Sequence, residues 1–190
     1  MPGIAQGGHS VLRPYLELEK HQIQAIYDNA VALAVARVAR DLKNNDPINV
    51  RALRPYDLGE TNDVWNETVA GSTTGAWADS IIADQAIRVD TAIAIYGVYD
   101  ASEYQAVTGA RLQQAGTRLE WDFFPILTDD KRPEARKAYG MDPFVVGGGL
   151  NITIQYYTRP STPSRTQSIE VIMLGIVAEK ANRTINPRRG

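Results

Sequence analysis

The run Ile169-Glu-Val-Ile-Met-Leu-Gly-Ile-Val-Ala178 constrains the fold more than any other stretch of the chain. Read with the two-residue period of a strand, it is apolar on both sides. Ile169, Val171, Met173 and Val177 fall on one, and Ile172, Leu174 and Ile176 on the other. A strand of that kind has to be covered twice, by layers of its own domain or by another subunit. A layered β-structure follows, rather than one sheet with a wet face.

The other periodic segments supply the layers. Leu150, Ile152, Ile154 and Tyr156 alternate with Asn151, Thr153, Gln155 and Tyr157. Leu119, Trp121 and Phe123 alternate with Arg118, Glu120 and Asp122 as far as Pro125, and Ile87, Val89, Thr91, Ile93 and Ile95 mark a further strand. Ahead of them Ile23, Ile26, Tyr27, Ala30, Val31, Ala34, Val35, Val38 and Leu42 recur at steps of three and four, which predicts a helix over 16–43. Its narrow Ala/Val stripe suits close packing against a sheet or another helix rather than a free amphipathic membrane helix. Weaker signals predict a short helix over 79–86, a second from the Ser102/Gln105 capping pair to just before Gly116, and a third between Asp129 and Pro143, with Pro133 in its first turn and Gly140 at its C-cap. Residues 55–75, rich in Gly, Asn, Thr, Ser and acidic residues, read as one long loop.

The chain has 190 residues, 44% of them hydrophobic, which is enough for one core and one domain. The expected organisation is a flexible arm at 1–14, a globular domain at 15–179 with its β-rich part at 87–178, and a basic tail at 180–190. The fold class is mainly β with helices, an α+β chain built on a β-sandwich. There is no cysteine, hence no disulfide framework and no thiolate-bound metal. No segment approaches ~18 uninterrupted apolar residues, so no membrane span is expected. Net charge is -2, but unevenly spread. Between Pro55 and Ala110 nine acidic residues face one base, Arg88; from Pro143 onward six bases face Glu170 and Glu179.

Constellations that would carry catalysis or a cofactor do not assemble from this sequence, and no catalytic, cofactor or metal residue is assigned. His9 and His21 are too few and too separate for a triad. Glu120 and Asp122 share a strand face with Arg118, where solvated ion pairs are the ordinary outcome. Asp57, Glu60, Asp63 and Glu67 lack the spacing of a calcium loop. Gly147–Gly149 precedes a strand instead of opening a helix, so it is no phosphate cradle. Trp65, Trp77, Ile172, Leu174 and Ile176 are the expected subunit contacts, and Lys180, Arg183, Arg188 and Arg189 the expected nucleic-acid contacts.

In size and layout, with a helical N-terminal part, long loops and strong strands at Leu119–Phe124, Leu150–Tyr157 and Ile169–Ala178, the chain resembles single jelly-roll capsid proteins of tailless icosahedral viruses. The resemblance covers about 87–178 and rests on no short motif. It implies a jelly roll, extended terminal arms, self-assembly into a virion shell with other virion proteins as further partners, and assembly in the host cytoplasm. A jelly roll needs eight strands, whereas five or six are legible; the loop at 55–75 would have to hold the rest. The alternatives are a phage tail-tube or decoration protein, a small-ligand or carbohydrate-binding β-sandwich with Trp65, Trp77 and Trp121 around a pocket, and, last, an enzyme using Glu120 and Asp122.

Overall fold

The computed structural model describes residues 13–14, 18–41, 46–60, 64–70, 73–79, 82–101, 107–122, 138–158 and 166–181. In chain order its elements are β1 (Arg13–Pro14), α1 (Lys20–Asp41), β2 (Ile48–Ala52), a 3-10 turn (Pro55–Leu58), β3 (Asn66–Val69), β4 (Ala76–Asp79), β5 (Gln85–Ala86), β6 (Thr91–Asp100), β7 (Val107–Gln114), β8 (Thr117–Asp122), β9 (Ala138–Gly147), β10 (Asn151–Thr158) and β11 (Gln167–Lys180). The expected mainly-β chain with an N-terminal helix is what forms.

Two antiparallel sheets face each other. The first runs β1-β9-β6-β11-β2, with β3 pairing the start of β11; the second runs β4-β10-β7-β8, with β5 on β10. The apolar sets seen in the sequence meet between them. Ile93, Ile95, Val171, Met173 and Val177 come from the first sheet and Leu112, Ile152, Ile154 and Tyr156 from the second, and all are buried. α1 forms a third layer on the outer side of the first sheet. There Ala30, Ala34 and Val38 lie on Ala92, Ala94, Ile176 and Ala178. This is why β11 is apolar on both faces. Ala92 and Ala94 of β6 and Ala178 of β11 meet Ala30 and Ala34 there, and alanine facing alanine lets helix and sheet approach closely.

A bulge divides β6. Leu174 pairs with Gly97 and Gly175 with Ile95, so Tyr96 is the extra residue and stays on the helix side. The alternation changes phase there, which returns Val98 to the inter-sheet core. Opposite it, residues 141–143 of β9 are also irregular, and Pro143 is accommodated in that break.

Several expectations are corrected. The helix ending before Gly116 is instead β7, because Ala115 (φ 48) and Gly116 (φ 81) make a two-residue turn that folds β8 back onto it. Pairing to β8 and β10 then overrides a weak helical spacing. Gly140 is no helix C-cap; it pairs Gly97 on one side and Arg13 on the other, inside β9. Within 79–86, Asp79 ends β4, residues 83–84 bend and Gln85–Ala86 form β5, while 80 and 81 lie outside the described residues. The strand expected from Ile87 begins at Thr91, with Asp90 at φ 62 in the preceding turn and Val89 exposed. The stretch 55–75 is not one loop but holds the 3-10 turn and β3. α1 starts at Lys20, where Gln22 Oε1 accepts from the Glu19 N–H, half of a capping box. Arg13 and Pro14 of the expected arm are paired to β9, and residues 1–12 and 15–17 lie outside the described residues.

Candidate functional site

The densest chemistry among the described residues is a four-residue charge cluster at the β2 edge of the sandwich. After β2, the turn at Pro55–Leu58 folds back so that Leu58 enters the core and Asp57 comes under β2. Asp57 binds Arg51 through both oxygens, at 2.7 Å from Nη1 and 2.6 Å from Nη2, and also accepts the Arg54 N–H at 3.0 Å. Arg51 Nε donates to Glu179 at 2.9 Å, and Arg88 reaches the other Glu179 oxygen at 3.1 Å. Arg88 lies 3.7 Å from Asp57 as well.

The carboxylates are 2% and 1% exposed, the guanidiniums 21% and 37%. Two acids and two bases therefore cancel at the boundary of the core, each acid held by at least two donors. The Arg51 guanidinium is pushed above its usual range, chiefly by the Asp57 hydrogen bond, with burial opposing and Glu179 adding. It stays charged. The arrangement clamps β2, the 3-10 turn, the approach to β6 and the end of β11 together, and its groups are already committed to one another.

Its members were visible but unassembled in the sequence. Arg88 is the lone base in an acidic stretch, and Glu179 continues the inward set of Val171, Met173 and Val177. Both are out of place unless paired. What the sequence does not carry is the fold-back of the Pro55 turn.

A second feature lies where α1 leaves the first sheet incompletely covered. Ile23, Gln24, Tyr27, Tyr96 and Leu174 line a shallow depression of about 470 Å³. Tyr27 and Tyr96 meet edge to face, with centroids 6.0 Å apart. Burial pushes the Tyr96 phenol up, with Tyr27 adding to it. Ile172 and Leu174 are half-buried on this face, as suits candidate contacts. Ile176 differs: it is 1% exposed, and its cover comes from the chain's own helix.

The outer face of the second sheet carries Trp77, whose ring meets Tyr157 at 5.3 Å, with the Arg111 guanidinium 4.3 Å from its centre. Arg111 also donates to Gln155. Trp65 lies elsewhere, against the inter-sheet core, so the two do not share a pocket. Trp121 pairs in register with Ala110 and Glu120 with Arg111.

Lys180 ends β11, pairs Ile48 in register and forms an ion pair with Asp46, so it belongs to the domain and not to a free tail. Arg183, Arg188 and Arg189 lie outside the described residues, as do Asp63 and His9. Among the described residues, no three His, Cys, Asp or Glu side chains are placed to hold a metal ion, and no helix is long and apolar enough to cross a membrane. Comparison with known proteins finds no matching family model, no matching curated protein and no matching solved structure.

Proposed function

We propose that this chain is a self-assembling structural subunit, a virion shell protein built as a jelly roll. The observation that carries the reading is strand connectivity. Set aside β1, β3 and β5, which extend sheet edges, and eight strands remain. The first pairs with the eighth (β2 with β11), the second with the seventh (β4 with β10), the third with the sixth (β6 with β9) and the fourth with the fifth (β7 with β8). That is one long hairpin. β6 also lies beside β11 and β7 beside β10, so the eight fall into two sheets of four, an order that supports the jelly-roll reading.

Jelly rolls serve shells, sugar-binding domains and enzymes alike, so the fold alone does not choose. The shell is favoured by surface left uncovered among the described residues: the half-buried Ile172 and Leu174, and exposed Tyr27 and Leu33 on α1. The segregation of acidic and basic residues along the chain suits subunits that meet by opposite charge, and the basic C-terminal segment suits contact with packaged nucleic acid.

Electron microscopy of the purified protein tests this. Closed particles of uniform diameter are expected. Sedimentation as a monomer at every concentration and salt would remove the proposal, and stacked rings would assign the chain to a tail tube instead. A ligand-binding module is the second reading, favoured by the Trp77, Tyr157 and Arg111 cluster on an open sheet face. Tryptophan fluorescence titrated with a glycan panel would support it if saturable quenching disappears in Trp77→Ala.

A further inference from the structure

We infer that the open edge of β2 is a contact between copies of this chain, with β2 of a second copy added antiparallel about a two-fold axis level with Val50. The inference rests on the self-assembly reading and names one of its interfaces. β2 ends the first sheet on one side, bonded to β11 and, among the described residues, to no strand beyond it. Which of its backbone groups face outward follows from the ladder. The Ala181 N–H donates to the Pro47 carbonyl at 2.8 Å and the Leu53 N–H to the Gly175 carbonyl at 2.9 Å, both continuing the register of β2 with β11. Hydrogen-bonded and non-bonded pairs alternate along an antiparallel ladder. Asn49 and Arg51 therefore direct their N–H and C=O groups to β11, and Ile48, Val50 and Ala52 turn theirs to the open edge. Among the described residues, the main chain of Ile48 and Val50 meets no partner there. The Ala52 carbonyl accepts from Arg51 Nη1 at 3.3 Å and keeps a second lone pair.

Unmet donors and acceptors at strand spacing call for another strand. What selects a second copy is that this edge complements itself. With Val50 opposite Val50, Ile48 of each copy stands opposite Ala52 of the other, and each such pair exchanges both backbone hydrogen bonds. Every outward group of the five-residue strand is then matched. The side chains agree with this register. Ile48 and Val50 are half-buried at the margin of the apolar layer under α1, and the axis joins that margin to the same margin of the second copy. On the other face Asn49 comes opposite Arg51, an amide against a guanidinium that Asp57 and Glu179 already balance. A parallel pair in register would set Arg51 beside Arg51, which opposes association. The helix leaves the approach open, since α1 lies mainly over β9, β6 and β11 and not on the β2 edge. One short strand pair falls below the ~1,200 Å² expected of an independently stable interface, so this contact works alongside others in an assembly.

The alternation supplies the test, on the full-length protein. In hydrogen exchange the Asn49 and Arg51 amides should be protected in dilute subunits and in assemblies alike. Those of Ile48, Val50 and Ala52 should exchange fast in dilute subunits and slow roughly ten-fold or more on assembly. Val50→Pro removes an outward N–H and no bond to β11, a replacement that an edge strand accepts. It should keep a native circular dichroism spectrum and fail to assemble. The cysteine-free sequence makes cross-linking specific. Val50→Cys, mildly oxidised, should give a covalent dimer, since opposed Cα atoms about 5.5 Å apart lie within the ~4.4–6.8 Å span of a disulfide. Ile48→Cys alone sets its thiols about 13 Å apart along the strands and should give little dimer until mixed with Ala52→Cys.

An unchanged Val50 amide on assembly, or Val50→Pro assembling like the natural chain, would overturn the inference. So would slowed outward amides without the Val50→Cys cross-link, since a different strand would then cover the edge. Particles in which Ile48→Cys alone cross-links as well as Val50→Cys would sink this pairing and leave the shell reading standing. A register-specific dimer that never grows larger would keep the pairing and remove the shell.

Discussion

Asp57 illustrates how much a single side chain holds at this sandwich edge. It is 2% exposed and is the bidentate partner of Arg51, so Asp57→Ala leaves a partly buried guanidinium short of its counter-charge and removes an acceptor from the Arg54 N–H. A loss of about 3–5 kcal/mol in urea unfolding is expected, the scale for breaking one side of a buried pair. Glu179→Gln should cost less, since the amide oxygen can still accept from Arg51 or Arg88. The two losses should combine non-additively because both acids act on Arg51. Tyr96 gives a pH prediction. Its phenol is raised by burial and by Tyr27, so above the usual tyrosine range the folded state keeps a proton that the unfolded chain has lost. Stability is therefore full below about pH 10 and falls as pH rises toward the folded value. Tyr96→Phe should flatten that alkaline decline, as measured by denaturation midpoints between about pH 9 and 11.

At the scale of elements, the bulge in β6 and the glycine opposite it set how the first sheet receives its neighbours. A Cβ on Gly175 would lie 2.8 Å from a Leu53 methyl and 2.9 Å from the Ala94 carbonyl oxygen. The leucine can move, but the strand backbone cannot without opening the ladder. Gly175→Ala should destabilise by about 1–3 kcal/mol, the range for overpacking, seen as a lower Tm with native circular dichroism below the transition. The strands of β10 and β11 were legible because tertiary structure uses their alternation as written. β7 was not: its spacing fits a weak helix as well as a strand, and the Ala115–Gly116 turn decides only when β8 and β10 are there to pair. α1 was legible for the opposite reason, since its inward stripe needs no specific partner, only an apolar surface.

For the whole molecule, the separation of acidic and basic residues along the chain leads to a prediction about assembly. On the proposed shell reading, raising salt from about 50 mM to about 500 mM, which shortens the screening length to a few ångströms, should slow particle formation while apolar contacts hold formed particles together. Light scattering after a concentration jump measures it; an unchanged rate would show that charge does not steer association. If the C-terminal bases contact packaged nucleic acid as proposed, Arg188→Glu with Arg189→Glu should reduce the nucleic acid that co-purifies, read as absorbance at 260 nm relative to 280 nm, and an unchanged ratio would reject that role.

Local spacing along the chain is enough to set the layers. Period-two alternation in β10 and β11 and the Ala/Val stripe of α1 state which faces must be covered, because burial of apolar surface depends on local spacing. Contacts distant in the chain settle which strands are neighbours, that Arg51, Asp57, Arg88 and Glu179 converge, and that Ile176 is covered by the chain's own helix. Those depend on contacts between residues as far apart as Arg51 and Glu179, whose spacing along the chain carries no periodic signal. A strand's own residues say that it needs partners, whereas the register and order of those partners emerge when the whole hairpin closes on one core.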